Sequence, residues 1–120
     1  MSELKIIAGP CLAESWEIVD CAAAELKRIS DKLGLEIIFK ASYRKANRTS
    51  GDSFEGAGDE IALNWIADAG KKYGMQTLTD IHTAPEAAMA AKYVDIIQIP
   101  AFLARQTDLL VAAAKTGKTV

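Results

Sequence analysis

Apolar positions along this chain keep two rhythms in turn. The run LKIIAG (4–9) is almost wholly apolar and ends on Gly9-Pro10, which predicts a short buried strand. From Ser15 the spacing changes to threes and fours, and Val19, Ala22, Leu26, Ile29 and Leu33 recur on one helical stripe. Ser15 is placed to cap that helix, Glu17 suits the positive end of its dipole, and Gly34 suits a left-handed turn at its close. LEIIFKAS (35–42) is a second buried strand. Asp59 and Glu60 then open a second helix, with Leu63, Ile66, Ala69 and Tyr73 on its stripe and Gly74 closing it. MQTLTDIH (75–82) predicts a third strand ending near Asp80. Pro85 fits a first helical turn, and EAAMAAKY (86–93) reads as a short alanine-rich helix. VDIIQIPA (94–101) is the fourth strand, RQTDLLVAAAKTG (105–117) the fourth helix, and KTV (118–120) the start of a fifth strand.

Four strand–helix units without a hairpin signal imply parallel strands and right-handed crossovers. Two architectures satisfy that pattern. A five-stranded flavodoxin-like sheet suits a length of 120 residues, but it normally ends in a helix after its fifth strand. The alternative is the first half of a (β/α)8 TIM barrel, whose full length is about 250 residues. In either, ligands gather at the carboxyl ends of the strands.

Composition narrows the partners. The chain is 50% hydrophobic and 25% charged, which excludes a disordered tail. A net charge of −2 gives no basis for nucleic-acid binding. Two cysteines, Cys11 and Cys21, are too few for a disulfide framework, and no stretch approaches the length of a membrane span. These features predict a cytoplasmic protein with no nucleic-acid or membrane partner.

Against that mildly acidic background, Lys40, Arg44, Lys45 and Arg48 crowd into FKASYRKANRTSG, directly after a buried strand. Such a cluster, with the hydroxyls of Thr49 and Ser50, suits a small phosphorylated ligand, although G-x-x-x-x-G-K is absent. The other strand ends carry Cys11, Asp80, His82 and Gln98, and Arg105 follows. Cys11 is open to a structural, a metal-binding or a nucleophilic role, Cys21 reads as core, and the single His82 reads as structural.

Together AGPC, FKASYRKANRTS, LTDIH and IIQIPAFLARQTDLL resemble the 3-deoxy-D-manno-octulosonate 8-phosphate synthase family, along essentially the whole chain. The related synthases of the seven-carbon sugar acid share the fold but carry a KPRTS-like loop, from which Ala46-Asn47 depart. The resemblance implies an aldol-type condensation of phosphoenolpyruvate with D-arabinose 5-phosphate. It implies that Lys40, Ser42, Lys45, Gln98 and Ala101 hold phosphoenolpyruvate, and that Asn47, Arg48, Thr49 and Asp80 place the sugar phosphate. Lys45, Asn47 and Asp80 are the implied catalytic set. Arg105 matches an arginine that reaches the sugar phosphate across a subunit interface, implying a homo-oligomer, a tetramer in the family. Cys11 matches the position that is cysteine in metal-dependent members and asparagine in the others, implying a divalent metal and no organic cofactor.

The family is about twice this length. Its remaining metal ligands, a histidine, a glutamate and an aspartate, and a further arginine and lysine come from the second half. The chain alone is therefore expected to be inactive, and its open strand edges and inner face to favour association.

Overall fold

The computed structural model describes residues 4–45 and 58–120. Four strands, β1 (Lys5–Ala8), β2 (Glu36–Lys40), β3 (Thr77–Asp80) and β4 (Ile96–Gln98), alternate with four helices among the described residues. These are α1 (Trp16–Leu33), α2 (Asp59–Tyr73), α3 (Ala84–Ala91) and α4 (Thr107–Lys115), with a 3-10 turn at Ala101–Leu103. The helix ends follow the local chemistry. Ser15 accepts a hydrogen bond from the Ile18 N–H, and Gly34 and Gly74 end α1 and α2 at φ 65° and 68°. An L side chain at either glycine would meet backbone strain there.

Strand order decides between the two architectures. All neighbours pair in parallel, and the order is β1-β2-β3-β4. A flavodoxin-like sheet places its first strand between the second and third. Here the direction of winding never reverses, so right-handed crossovers put every helix on the same side. Thr119 bridges Ile96 in parallel, and its carbonyl accepts the Ile97 N–H at 2.9 Å, so a fifth strand begins beside β4. The chain thus forms four βα units of a (β/α)8 barrel and the start of a fifth.

The core lies between the sheet and the helices. Ile37, Phe39 and Ile97 on the sheet meet Val19, Ala23, Leu63, Ile66 and Leu109 from the helices. Alternation along each strand sends Ile7, Ile38, Lys40, Leu78, Asp80, Ile96 and Gln98 to the other face, which becomes the barrel interior.

Three expectations fail, one of them Leu33, which the apolar stripe of α1 should have buried and which is exposed at the end of the helix. β1 is only half-buried, and Ile7 is 53% exposed, because its inner face has no opposing layer among the described residues. Cys21 is exposed, although its alanine-rich surroundings suggested core. The buried residues of α1 are Val19 and Ala23, and a residue midway between them projects about 200° round the helix. Among the described residues, no helix is long and apolar enough to cross a membrane.

Candidate active site

The carboxyl ends of β2, β3 and β4 bring the polar residues together. Lys40 stands opposite Leu78, and Asp80 opposite Gln98, in the parallel register. A period of two then puts Lys40, Ser42, Asp80 and Gln98 on the inner face. One hydrogen bond ties this group: Ser42 Oγ donates to Asp80 Oδ1 at 2.5 Å, buried.

Backbone geometry brings β1 into the same site. The Ser42 N–H donates to the Cys11 carbonyl at 3.3 Å, and the Ala13 N–H to the Ser42 carbonyl at 2.8 Å. Just before these bonds the strands touch at Gly9, where a Cβ would lie 1.7 Å from the Lys40 carbonyl oxygen. Only glycine fits that approach.

Behind Asp80 runs a polar chain that the sequence reading did not assemble. His82 Nε2 lies 3.1 Å from Asp80 Oδ2, so both oxygens of the carboxylate are engaged. His82 Nδ1 is buried without a hydrogen-bond partner, and Glu86 Oε1 is 4.0 Å away. Glu86 is itself 7% exposed, and it accepts from the Tyr43 hydroxyl and, at 2.6 Å, from Thr83 Oγ1. Burial alone would push the Glu86 carboxyl up. Hydrogen bonds from Thr83 and Tyr43, with the charges of His82 and Arg44, hold it below the ordinary glutamate value. Burial, and then the bond to Glu86, push the Tyr43 phenol far up. The missed signals were the four-residue spacing of His82 and Glu86, one turn apart at the start of α3, and Tyr43 beside Ser42.

The cationic cluster divides. The Arg44 guanidinium is held by both oxygens of Asp59 at the start of α2, which removes it from the set available to a ligand. Lys40 and Lys45, both half-buried, make no ion pair among the described residues. Asn47, Arg48 and Thr49 lie outside the described residues. Ala101 opens the exposed 3-10 turn beyond β4 and Arg105 follows it, exposed; no hydrogen bond or ion pair among the described residues joins Arg105 to Asp80. Cys11 is exposed at the end of β1. Among the described residues no three of His, Cys, Asp and Glu converge as a metal site, so Cys11 stands as a single donor and these residues alone do not fit a metal.

The sequence profile of the DAHP synthetase I family matches residues 2–120. This chain belongs to the DAHP synthetase I family. It is similar to the 2-dehydro-3-deoxyphosphooctonate aldolase of Brucella anthropi, 51% identical over 115 residues, covering 96% of this chain and 42% of that protein. The protein of the same description from Fusobacterium nucleatum subsp. nucleatum is 50% identical over 115 residues, or 96% and 41% of the two chains. That of Brucella ovis is 50% identical over 117 residues, or 98% and 42%. The chain therefore spans about 42% of the length of the curated relatives it matches.

Proposed function

We propose that this chain supplies part of the active centre of a 3-deoxy-D-manno-octulosonate 8-phosphate synthase. That transferase joins phosphoenolpyruvate to D-arabinose 5-phosphate and releases phosphate, as a cytoplasmic step towards lipopolysaccharide. The observation that carries the reading is the gathering of Lys40, Ser42, Asp80 and Gln98 on the inner face at the strand ends. Lys40 there, and Lys45 five residues further along, have no carboxylate partner among the described residues. The names and similarity of the relatives support the same reaction.

The residues divide the work by charge. Lys40 and Lys45 neutralise the phosphate and carboxylate of phosphoenolpyruvate, and Ser42, Gln98 and the backbone at Ala101 complete its cradle. Asp80, its carboxylate fixed by Ser42, accepts a hydroxyl of the sugar, while Asn47, Arg48 and Thr49 take the rest of the sugar phosphate. Holding the enol carbon against the aldehyde carbon is then mainly positioning, worth several orders of magnitude in effective concentration. Arg105 comes from a neighbouring subunit of a homotetramer. No step is routed through a metal, since the described donors do not assemble one. Nothing in the strand order favours a flavodoxin-like binding module.

The test is phosphate release from phosphoenolpyruvate in the presence of arabinose 5-phosphate, with and without added divalent metal. A polypeptide of the relatives' full length containing these residues should release phosphate, and the 120-residue chain should not. Turnover by the short chain would refute its dependence on further sequence. Absence of sugar-dependent release by the longer polypeptide would refute the reaction.

A further inference from the structure

The synthase reading uses Asp80 but gives no task to the groups behind it. His82 is the chain's single histidine, and its side chain is 12% exposed. A carboxylate oxygen accepts, so the 3.1 Å approach of His82 Nε2 to Asp80 Oδ2 suits a ring nitrogen that can donate. With Ser42 bonded to Oδ1 and the imidazole beside Oδ2, the carboxylate has a polar neighbour at each oxygen, and rotation would break the Ser42 bond. Its remaining lone pairs then keep one direction.

The ring is placed in turn from behind. Glu86 lies on the Nδ1 side, too far at 4.0 Å for a hydrogen bond but close enough to wall the ring in. Tyr43 from the end of β2 and Thr83 at the start of α3 occupy the two Glu86 oxygens. Burying a glutamate costs free energy that a leucine in the same space would not. The expense suits a scaffold for a functional group better than plain packing. Arg44, itself held by Asp59, adds its charge to the hold on Glu86.

We propose that His82 is a positioning residue for Asp80, with its ring set in place by Glu86, Tyr43 and Thr83. Its use for sugar binding rests on the synthase reading; its hold on Asp80 does not. Because the chain has one histidine, the imidazole nitrogen signals of the 15N-labelled protein are assigned without ambiguity. The expected spectrum shows a proton on Nε2, protected from solvent exchange, and its signal moves in Asp80→Asn and in Glu86→Gln. A proton on Nδ1 instead, or ring signals unmoved by both substitutions, would overturn the proposal.

A binding experiment separates the two claims. The side-chain amide of glutamine reaches the place of Nε2, so His82→Gln should keep arabinose 5-phosphate affinity within about threefold. His82→Leu, though folded, should lose about tenfold or more, the worth of one hydrogen bond to a charged group. Equal loss in both would overturn positioning by the Nε2 proton. If the expected spectrum is found but a polypeptide of the relatives' full length, wild type or variant, does not bind the sugar phosphate, positioning stands and the synthase reading of Asp80 falls.

Discussion

The two ends of this sheet are made from the same kinds of residue and behave differently. At the amino end of β3 and β4, Asp95 Oδ2 accepts the Thr77 N–H at 2.9 Å and the Thr77 hydroxyl at 3.3 Å. The Asp95 N–H returns to the Thr77 carbonyl at 3.1 Å. A cleft of about 360 Å³ opens there beside Met75, Gln76 and Asp95, but its carboxylate is consumed by the fold. At the carboxyl end, Lys40 and Gln98 make no side-chain bond among the described residues, and Asp80 is aimed rather than consumed. Polar groups that satisfy one another hold the fold together. Polar groups held in place with bonding capacity to spare can bind.

That contrast can be broken first at its tightest point. Gly9→Ala should cost about 3 kcal/mol or more, or prevent folding, because the new Cβ meets a backbone oxygen at 1.7 Å that cannot rotate away. Gly70→Ala, near the amino end, meets a Thr77 methyl at 2.4 Å and the Met75 carbonyl at 2.9 Å. It should cost less, since both approaches are looser than the 1.7 Å at Gly9; urea melts of the two variants rank them.

The buried hydroxyls come next. Tyr43→Phe should cost about 1–3 kcal/mol by leaving a Glu86 oxygen without its donor. Its pH dependence has a definite sign. Folding raises the Tyr43 phenol, so its contribution is full below 10.0, the ordinary tyrosine value, and is lost as pH climbs above it. The Glu86 carboxyl is lowered by folding, so its contribution is present above 4.5 and is lost as pH falls through the folded value. Melts from pH 3 to 11 should therefore decline at both ends in the wild type, with part of the alkaline decline absent from Tyr43→Phe. An unchanged alkaline limb would remove Tyr43 from that account.

Ligand affinity should separate the ends most cleanly. Lys40→Ala should weaken phosphoenolpyruvate binding by about tenfold or more, the worth of a charged hydrogen bond, with little change in melting temperature. Asp95→Ala should do the reverse: a loss of about 1–3 kcal/mol in stability, because the Thr77 N–H loses its acceptor, and unchanged binding. Calorimetric titration beside thermal melts reads both. The smallest effect is expected on the outer helical surface. Glu25→Gln, which breaks an exposed pair with Arg28, should leave melting temperature and binding unchanged.

Much of the architecture was legible because it is local. Caps at Ser15, Gly34 and Gly74, the stripe of α2 and the proline at Pro85 act within a few residues, and each recurs in the structure at or near its expected place, whereas the stripe expected on α1 ends before Leu33, which is exposed. The strands proved shorter than their apolar runs, since MQTLTDIH and VDIIQIPA extend beyond the paired residues of β3 and β4. Hydrophobicity marks burial, whereas a strand ends where its neighbour stops pairing. Cys21 was misjudged for a different reason: its alanine neighbours in sequence lie on other sides of the helix, and Cys21 projects away from buried Val19 and Ala23.

By itself, the sequence determined the alternation of strands and helices, the family, and the collection of lysines and acids at the strand ends. Each of these is written in spacing or in residue type. Tertiary structure alone decided the strand order, the pairing of Arg44 with Asp59, and the chain of contacts from Ser42 through Asp80 and His82 to Glu86 and Tyr43. Ser42 and Asp80 are 38 residues apart, and Tyr43 and Glu86 are 43 apart. No local propensity speaks across that distance; only the parallel register of β2 and β3 brings them within bonding range.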